Sequence, residues 1–120
     1  KRFRQGLEQL LQEGVVQSYE LADSIRKVPL LGAIGPLQFE IVQYRLESEY
    51  GAPSRIETAP WTVTRWLDPS VDPKSVTLPL NVRLATDGQG RWAVLLPDEW
   101  NLRYFHERNP DVTLSDRPLA

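Results

Sequence analysis

Histidine and carboxylate side chains near the end of the sequence are the first candidates for acid–base or metal chemistry. His106 is the only histidine, and Asp98, Glu99 and Glu107 lie within eight residues of it. Their spacing does not fit a site, because a zinc-protease helix needs two histidines four residues apart. We therefore predict a surface or hydrogen-bonded histidine. Since no serine stands in a nucleophile-elbow pattern, the sequence predicts no catalytic and no metal-binding residue.

Two glycine-spaced segments are the only candidates for binding a phosphate group. The first is Gly32–Gly35 and the second is Asp87–Gly90. Neither is followed by the Lys-Ser/Thr pair of a phosphate loop, and neither has the three glycines of a dinucleotide site. Gly35 precedes a predicted helix, whose N-terminus can receive an anion. The pattern nevertheless favours a strand-to-helix turn and a hairpin turn, so no cofactor-binding residue is predicted.

Tryptophan and arginine are interspersed in the second half of the chain, a combination that RNA-binding surfaces use for stacking and phosphate contact. These residues are Trp61, Arg65, Trp66, Arg91, Trp92, Trp100 and Arg103. The tryptophans also alternate with polar residues as in half-buried strands, and we favour a place for them in the core of a β-rich region. Arginine suits bidentate phosphate recognition. Arg65, Arg91 and Arg103 are therefore the candidate RNA contacts.

The segment from Leu30 to Tyr50 is the element around which the chain is organised. The apolar run Leu30–Ile34 predicts a buried strand. Pro36 suits the first position of a helix, where its missing N–H is not needed. The helix is expected to end at Tyr50, because Gly51 readily adopts the left-handed conformation of a helix C-terminus.

This central helix carries apolar residues on two sides. One stripe is Phe39, Val42, Leu46 and Tyr50, and the other is Leu37, Ile41 and Tyr44. Because a surface helix needs only one apolar face, we predict a helix packed between two apolar layers. The alternative is that one stripe faces solvent, since single exposed apolar residues are common.

Residues 1–58 predict a split β-α-β arrangement. Apolar residues from Phe3 to Leu11 repeat at helical spacing up to Gly14, and Gly6 inside that helix suggests a closely packed neighbour. This first helix is followed by a strand over residues 15–21, a polar turn over 22–29, the 30–34 strand, the central helix and an extended segment over 53–57. One strand before Lys1 would complete the ferredoxin-like layout, so the first strand is expected upstream.

Residues 59–120 predict a β-rich part with a last helix. Five prolines between residues 53 and 79 disfavour long helices. Strands are predicted over 61–67, 76–84 (with Pro79 at an edge or a break), 92–96 and 112–114, with a loop over 68–74 and a hairpin turn over 87–90. Asp98 is a good N-cap for a helix that ends at Asn109-Pro110. The predicted fold class is therefore α+β.

Composition narrows the class of protein. The chain has 120 residues, a formal net charge of −2, no cysteine and no methionine. The charge argues against a free-standing nucleic-acid binder but not against a module that docks on RNA through one patch. The lack of cysteine fits a reducing compartment, and neither a signal peptide nor a membrane span is predicted. The missing methionine and a helical pattern that starts uncapped at Lys1 suggest a piece of a longer protein.

The segment from Leu31 to Tyr50 closely resembles the C-terminal domain of bacterial peptide chain release factor 3, and more loosely the third domain of elongation factor G. Matches to the first family run through nearly the whole chain. They are Arg4–Leu10, Glu13–Gln17, Thr64–Trp66, Leu84–Gly88, Asn101–Arg103 and Glu107–Val112. Family members often carry a charged helix where this chain has Pro73–Pro79, and a shorter connection is expected here.

The resemblance implies a role in translation termination. The family is a cytoplasmic bacterial GTPase that removes class I release factors from the ribosome, and it binds GTP or GDP and Mg in an upstream domain. A non-catalytic C-terminal domain is implied, facing small-subunit protein and ribosomal RNA and touching class I factors only indirectly. No membrane is involved. The motif does not fix which residues meet the ribosome, so Arg65, Arg91 and Arg103 stay the candidates.

Two alternatives remain at this point. One is the equivalent domain of another translational GTPase, although the residues after Thr58 fit release factor 3 better. The other is a small stand-alone enzyme that uses His106 and nearby carboxylates.

Overall fold

A computed structural model of the chain describes residues 1–23 and 29–118. These residues form two compact units: unit 1 comprises residues 1–19 and 29–58, and unit 2 the described parts of 20–28 and 59–120. The elements are α1 (Arg2–Gln12), β1 (Gln17–Leu21), β2 (Leu30–Gly32), α2 (Pro36–Tyr50), β3 (Val63–Leu67), a 3-10 turn (Pro73–Ser75), β4 (Arg83–Asp87), β5 (Trp92–Leu96), α3 (Glu99–Arg108) and β6 (Leu114–Ser115). Among the described strands of unit 2 the hydrogen-bonded order is β4-β5-β3-β6, and β1 and β2 pair with each other. The predicted α+β class is confirmed.

Unit 1 is built from α1, α2 and a short hairpin. β1 and β2 pair antiparallel, with Gln17 opposite Gly32 and Tyr19 opposite Leu30. The core consists of Leu7, Leu10, Val16, Val42 and Leu46, each at most 8% exposed. The two helices approach closely at Gly6, where a Cβ atom would lie 2.7 Å from the Tyr50 ring. The predicted close neighbour of Gly6 is therefore present.

Both predicted ends of α2 are confirmed. Pro36 occupies the first turn, and the Gly35 N–H donates to Gln38 Oε1 at 3.2 Å, which satisfies a donor that the helix itself cannot. Gly51 has a φ of 61°, and its N–H donates to Glu47 O at 3.0 Å. These local signals fix the helix over 15 residues.

The prediction that α2 is packed between two apolar layers is wrong. Val42 and Leu46 are buried, but Leu37 is 59% exposed, Tyr44 72% and Ile41 37%. α1 and the hairpin cover only the first stripe of the helix, and no described residue buries the second. The alternative reading, one stripe facing solvent, is the one that the structure supports.

Unit 2 places α3 on a sheet. β4, β5, β3 and β6 are antiparallel neighbours, and Val94 in β5 lies opposite both Arg65 and Leu84. Because directly opposite residues point to the same face, one face collects the apolar side chains that pack under α3. Its core consists of Leu67, Val82, Val94, Leu96 and Phe105, of which the last three have no exposure.

Two strand predictions are wrong, and the structure shows a cause for each. Residues 53–57 form no strand, since no described strand lies beside them to accept the hydrogen bonds. The alternating segment after Val76 becomes a strand only at Arg83. Pro79 lacks an N–H, the Asn109 side chain binds both polar backbone atoms of Thr77, and Asn81 has a φ of 70°.

The strand predicted as buried over Leu30–Ile34 covers only Leu30–Gly32 and is half-buried, and Ile34 is fully exposed. The remaining predictions differ from the structure mainly at their ends. The segment after residue 72 contains a 3-10 turn (Pro73–Ser75), and the last strand lies at Leu114–Ser115. The predicted polar turn over residues 22–29 included Ser24, Arg26 and Lys27, which lie outside the described residues.

Candidate nucleic-acid interface

Helix α3 begins at the predicted cap. Asp98 Oδ1 accepts from the backbone N–H of Asn101 at 2.9 Å and from its side-chain amide at 2.8 Å. The backbone hydrogen bond has the larger effect, and together the two bonds lower the pKa of Asp98 below its usual value. A negative charge here also suits the positive end of the helix dipole. The start of the helix is thereby fixed by its own sequence.

The other end of α3 is fixed by a residue from outside the predicted site. Asn109 is 6% exposed, and its side-chain NH2 donates to Thr77 O at 2.8 Å and to Phe105 O at 3.0 Å. Its side-chain oxygen accepts from the Thr77 N–H at 2.7 Å. With Phe105 buried in the core beneath, the helix has little freedom to rotate on the sheet.

The outward side of α3 carries an aromatic and basic stripe, which we call the α3 stripe. It consists of Trp100, Tyr104 and Arg108, spaced four residues apart. The Trp100 and Tyr104 rings stack with centroids 5.4 Å apart and an interplanar angle of 23°. The Arg108 guanidinium lies 5.9 Å from the Tyr104 ring centroid and donates to its hydroxyl at 3.1 Å. Trp100 itself is 60% exposed, so one face of the stack is open.

Arg103 lies on the same helix, next to Tyr104, and is exposed. Among the described residues it makes no hydrogen bond or ion pair with another side chain. Its charge acts on Asp98 only through a minor contribution that lowers the pKa of that carboxyl. Of the three arginines singled out from the sequence, Arg103 is the one whose guanidinium is free to bind a phosphate.

Arg65 reaches the N-terminal end of α3 from β3. Its Nη1 donates to the Thr64 carbonyl at 2.9 Å, and its Nη2 lies 3.9 Å from Glu99 Oε1. Its side chain is 26% exposed, because the stem lies on the core face opposite Val94. Glu99 is one helical turn before Arg103, so the structure brings Arg65 and Arg103 to the same end of α3.

Arg91 serves the β4–β5 hairpin instead. Its Nε donates to Asp87 Oδ2 at 2.7 Å and its Nη2 to Gln89 Oε1 at 3.0 Å. Asp87 also accepts from the backbone N–H groups of Gln89 and Arg91 and from Trp66 Nε1. Burial raises the pKa of Asp87, but these hydrogen bonds outweigh it and leave the pKa below its usual value. Arg91 is thus held within the turn.

The expectation that the tryptophans belong to a core is supported for Trp92, whereas Trp61 and Trp66 are half-buried and hydrogen-bonded. Trp92 packs against the unit 2 core, Trp66 donates to Asp87 Oδ2 at 3.1 Å, and Trp61 donates to Asn81 O at 3.0 Å. Trp100 is the exception. Sequence reasoning identified it as aromatic but missed Tyr104 and Arg108, whose four-residue spacing was the available signal.

His106 is exposed on α3, as predicted, with its ring edge-on to Phe105 at 6.1 Å. The described part of the chain contains no group of three His, Cys, Asp or Glu side chains arranged to hold a metal ion. Within the same residues, no helix is both long and apolar enough to cross a membrane. The groups that the α3 surface presents are stacked aromatic rings and arginine guanidinium groups.

Comparison with known proteins gives one consistent result. The family described as "Class II release factor RF3, C-terminal domain" matches residues 1–106. Proteins named peptide chain release factor 3 are similar over the whole chain: 41% identity over 122 residues in Acaryochloris marina and 41% in Synechococcus elongatus. A protein of the same name from Symbiobacterium thermophilum is 36% identical over 93% of this chain.

These similarities cover only part of each relative. The chain spans 23% of the Acaryochloris protein, 22% of the Synechococcus protein and 21% of the Symbiobacterium protein. The match to the family nevertheless runs through both units, from α1 to α3. The chain therefore belongs to the family of class II release factor C-terminal domains.

Proposed function

We propose that this chain docks a termination GTPase on the ribosome and performs no reaction itself. GTP or GDP and Mg bind in upstream domains of the same protein, and class I release factors are affected only indirectly, in the cytoplasm. Membership of the release factor family supports a role in translation termination. What the chain adds is a rigid surface that contacts small-subunit RNA and protein.

The α3 stripe is the observation that carries this proposal. An open Trp100 ring, already stacked on Tyr104, offers a platform for an unpaired base. Arg103, next to Tyr104 in sequence, supplies a guanidinium for a phosphate, and Arg65 lies at the same end of the helix. Stacking of a base on an aromatic side chain contributes about 1–3 kcal/mol. Because both helix ends are fixed by Asp98 and Asn109, this surface is formed before binding.

The net charge is consistent with a local contact. At −2 the chain has no general attraction for RNA, so affinity must come from a few well-placed side chains. We expect the binding of the intact protein to depend on the α3 stripe more than on the remaining surface arginines.

The test uses the full-length protein and purified ribosomes. We expect Trp100→Ala and Arg103→Glu each to raise the ribosome dissociation constant about tenfold, the loss of roughly one stacked base or one charged contact. Arg55→Glu is the matched control, since Arg55 is also exposed but lies in unit 1 and forms an ion pair with Glu57. Unchanged circular dichroism would show that the variants fold. Equal affinity of all three variants and the unmodified protein would refute the proposal.

A further inference from the structure

Helix α2 presents a row of apolar side chains that unit 1 leaves uncovered. Leu37, Ile41 and Tyr44 are spaced four and three residues apart, so they lie on one side of the helix. Leu37 and Tyr44 are more than half exposed, and Ile41 is more than a third exposed. Single exposed apolar residues are common, whereas a row at this spacing is typical of helices that bury one face against another protein.

Two carboxylates border this row. Glu40 and Glu47 are two helical turns apart and lie along the same edge of the row. Both are exposed, and within residues 1–23 and 29–118 neither side chain forms an ion pair or a hydrogen bond. Arg45 is the one basic residue of α2 and lies on the other edge, where its Nη1 is 2.6 Å from Glu13 Oε1 and its Nε 2.8 Å from Glu49 Oε2. The surface is therefore apolar and negatively charged. We call it the α2 face and define it by Leu37, Glu40, Ile41, Tyr44 and Glu47.

The helix that carries the α2 face is fixed in unit 1. On its inner side Val42 and Leu46 are 1% and 2% exposed. Gly51 ends the helix with a φ of 61°, and the close approach of Gly6 to Tyr50 holds α1 against it. A partner would therefore meet a surface that is already formed, and little ordering of backbone would oppose binding.

Charge determines which partner fits. RNA is disfavoured, because its phosphates would meet Glu40 and Glu47 while Arg45 is paired elsewhere. A second copy of the chain is disfavoured too, since a two-fold axis through the row would place these carboxylates against their own equivalents, and like charges across an interface reduce affinity. A cationic protein suits both parts of the face, because its apolar residues can cover the row while its lysine or arginine side chains pair with the carboxylates.

We propose that the α2 face binds a cationic protein of the ribosome, whose apolar groove receives Leu37, Ile41 and Tyr44. Lysine or arginine side chains at the border of that groove pair with Glu40 and Glu47. Proteins that neutralise RNA phosphates are rich in these two residue types, so the ribosome supplies partners of the required charge. This inference rests on the proposed docking to the ribosome, and it assigns the protein contact to unit 1 and the RNA contact to unit 2.

Charge reversal tests the border of the α2 face. The measurement is binding of the full-length protein to purified ribosomes. We expect the double variant Glu40→Lys, Glu47→Lys to raise the dissociation constant about tenfold at low salt, and the difference to shrink as salt screens the exposed charges. Glu8→Lys, an exposed residue of α1 outside the α2 face, is the matched control. It should leave the affinity unchanged or increase it slightly, because a more positive protein is attracted to RNA in general.

The apolar row is tested by truncation and by photocrosslinking. Tyr44→Ala should raise the dissociation constant about tenfold at any salt concentration, because a tyrosine at the centre of an interface contributes strongly to affinity. Since Tyr44 is 72% exposed, its loss should leave the circular dichroism unchanged. A benzophenone amino acid in place of Leu37 should crosslink to a ribosomal protein, at a peptide rich in lysine or arginine. The same probe in place of Glu8 should not.

Four results would overturn this inference. They are tighter binding of the charge-reversed variant, as expected for an RNA contact, a crosslink to RNA, a crosslink within the same chain or to a second copy, and unchanged affinity of both variants. Failure of the α3 stripe is read separately, from Trp100→Ala and Arg103→Glu in unit 2. If those two variants lose affinity while the α2 variants do not, the proposed function stands and this inference is wrong.

Discussion

In unit 2 a single helix lies over antiparallel strands, whereas in unit 1 two helices share a hairpin of two short strands. The core of unit 2 includes Val94, Leu96 and Phe105, all without exposure. In unit 1 the helices provide most of the buried side chains, and the apolar residues of and beside β2 stay half-buried. The apolar side chains of a unit are fully buried only where the sheet under the helices is wide enough to cover them.

The two units also use their outward helix faces differently. α2 exposes Leu37, Ile41 and Tyr44, which carry no charge, while α3 exposes aromatic rings next to arginines. Unit 2 therefore combines a helix fixed at both ends with an exposed aromatic and basic surface. There the helix that carries the exposed stack is also the helix whose inner residue, Phe105, fills the core.

The largest effect expected from this comparison is that of Phe105→Ala. Deleting a fully buried phenylalanine removes transfer free energy and leaves a cavity, which costs about 3–5 kcal/mol of unfolding free energy. Leu46→Ala, in the less enclosed core of unit 1, should cost less, about 2 kcal/mol, because half-buried neighbours can relax into the space.

Tryptophan fluorescence during urea unfolding measures the first variant, since all four tryptophans lie in unit 2. Hydrogen exchange of the α2 amides measures the second. A larger loss for Leu46→Ala than for Phe105→Ala would reverse the ranking of the two cores.

Signals within one element predicted the fold well. Gly51 and Asp98 each mark a helix end through hydrogen bonds of their own turn, and Pro36 marks a helix start because its missing N–H is not needed there. Misses came from contacts distant in sequence. Residues 76–80 alternate as a strand does, but the side chain of Asn109, 32 residues from Thr77, takes the backbone groups that a ladder needs.

A smaller effect, with a pH dependence, is expected for Asp87→Ala in the hairpin of unit 2. The Asp87 side chain is 6% exposed, and its loss removes its hydrogen bonds with Trp66 Nε1 and with the backbone N–H groups of Gln89 and Arg91, at a cost of roughly 2–3 kcal/mol. The folded pKa of Asp87 lies below the unfolded value, which is about 3.9. Its stabilisation is therefore complete above that value and is lost as the pH falls through the folded pKa.

Urea unfolding at a series of pH values checks this prediction. The difference between the unmodified protein and Asp87→Ala should be constant at pH 6 and above and should shrink between about pH 4 and pH 2. A difference that grows on acidification would contradict it. Arg117→Ala, an exposed arginine in the same unit, is the control and should show no such pH dependence.

The candidate site was predicted in part. Residue type alone selected Arg65, Arg91 and Arg103, and only the structure distinguishes them, because pairing with Asp87 or Glu99 depends on strand register and helix placement. Trp100 and Tyr104 could have been paired from their spacing, but which tryptophan stays exposed is decided by the sheet that buries Trp92. Residue types identify the candidate contact residues, and packing decides which of their side chains stay exposed.

The smallest expected change in stability is that of Gly6→Ala, in helix α1 of unit 1. Gly6→Ala would ordinarily stabilise a helix by about 1 kcal/mol, because glycine has the larger conformational entropy when unfolded. Here the added Cβ would lie 2.7 Å from Tyr50 Cδ2 and 2.9 Å from Leu46 Cδ2, so α1 and α2 must move apart. Overpacking of this kind costs roughly 1–3 kcal/mol, and we expect a net loss of about 1 kcal/mol.

Gln5→Ala, on the exposed side of α1, is the matched control and should be neutral or slightly stabilising. Hydrogen exchange of the α1 amides measures both variants, and a gain in protection for Gly6→Ala would show that the contact between the two helices yields more readily than the Gly6 geometry indicates.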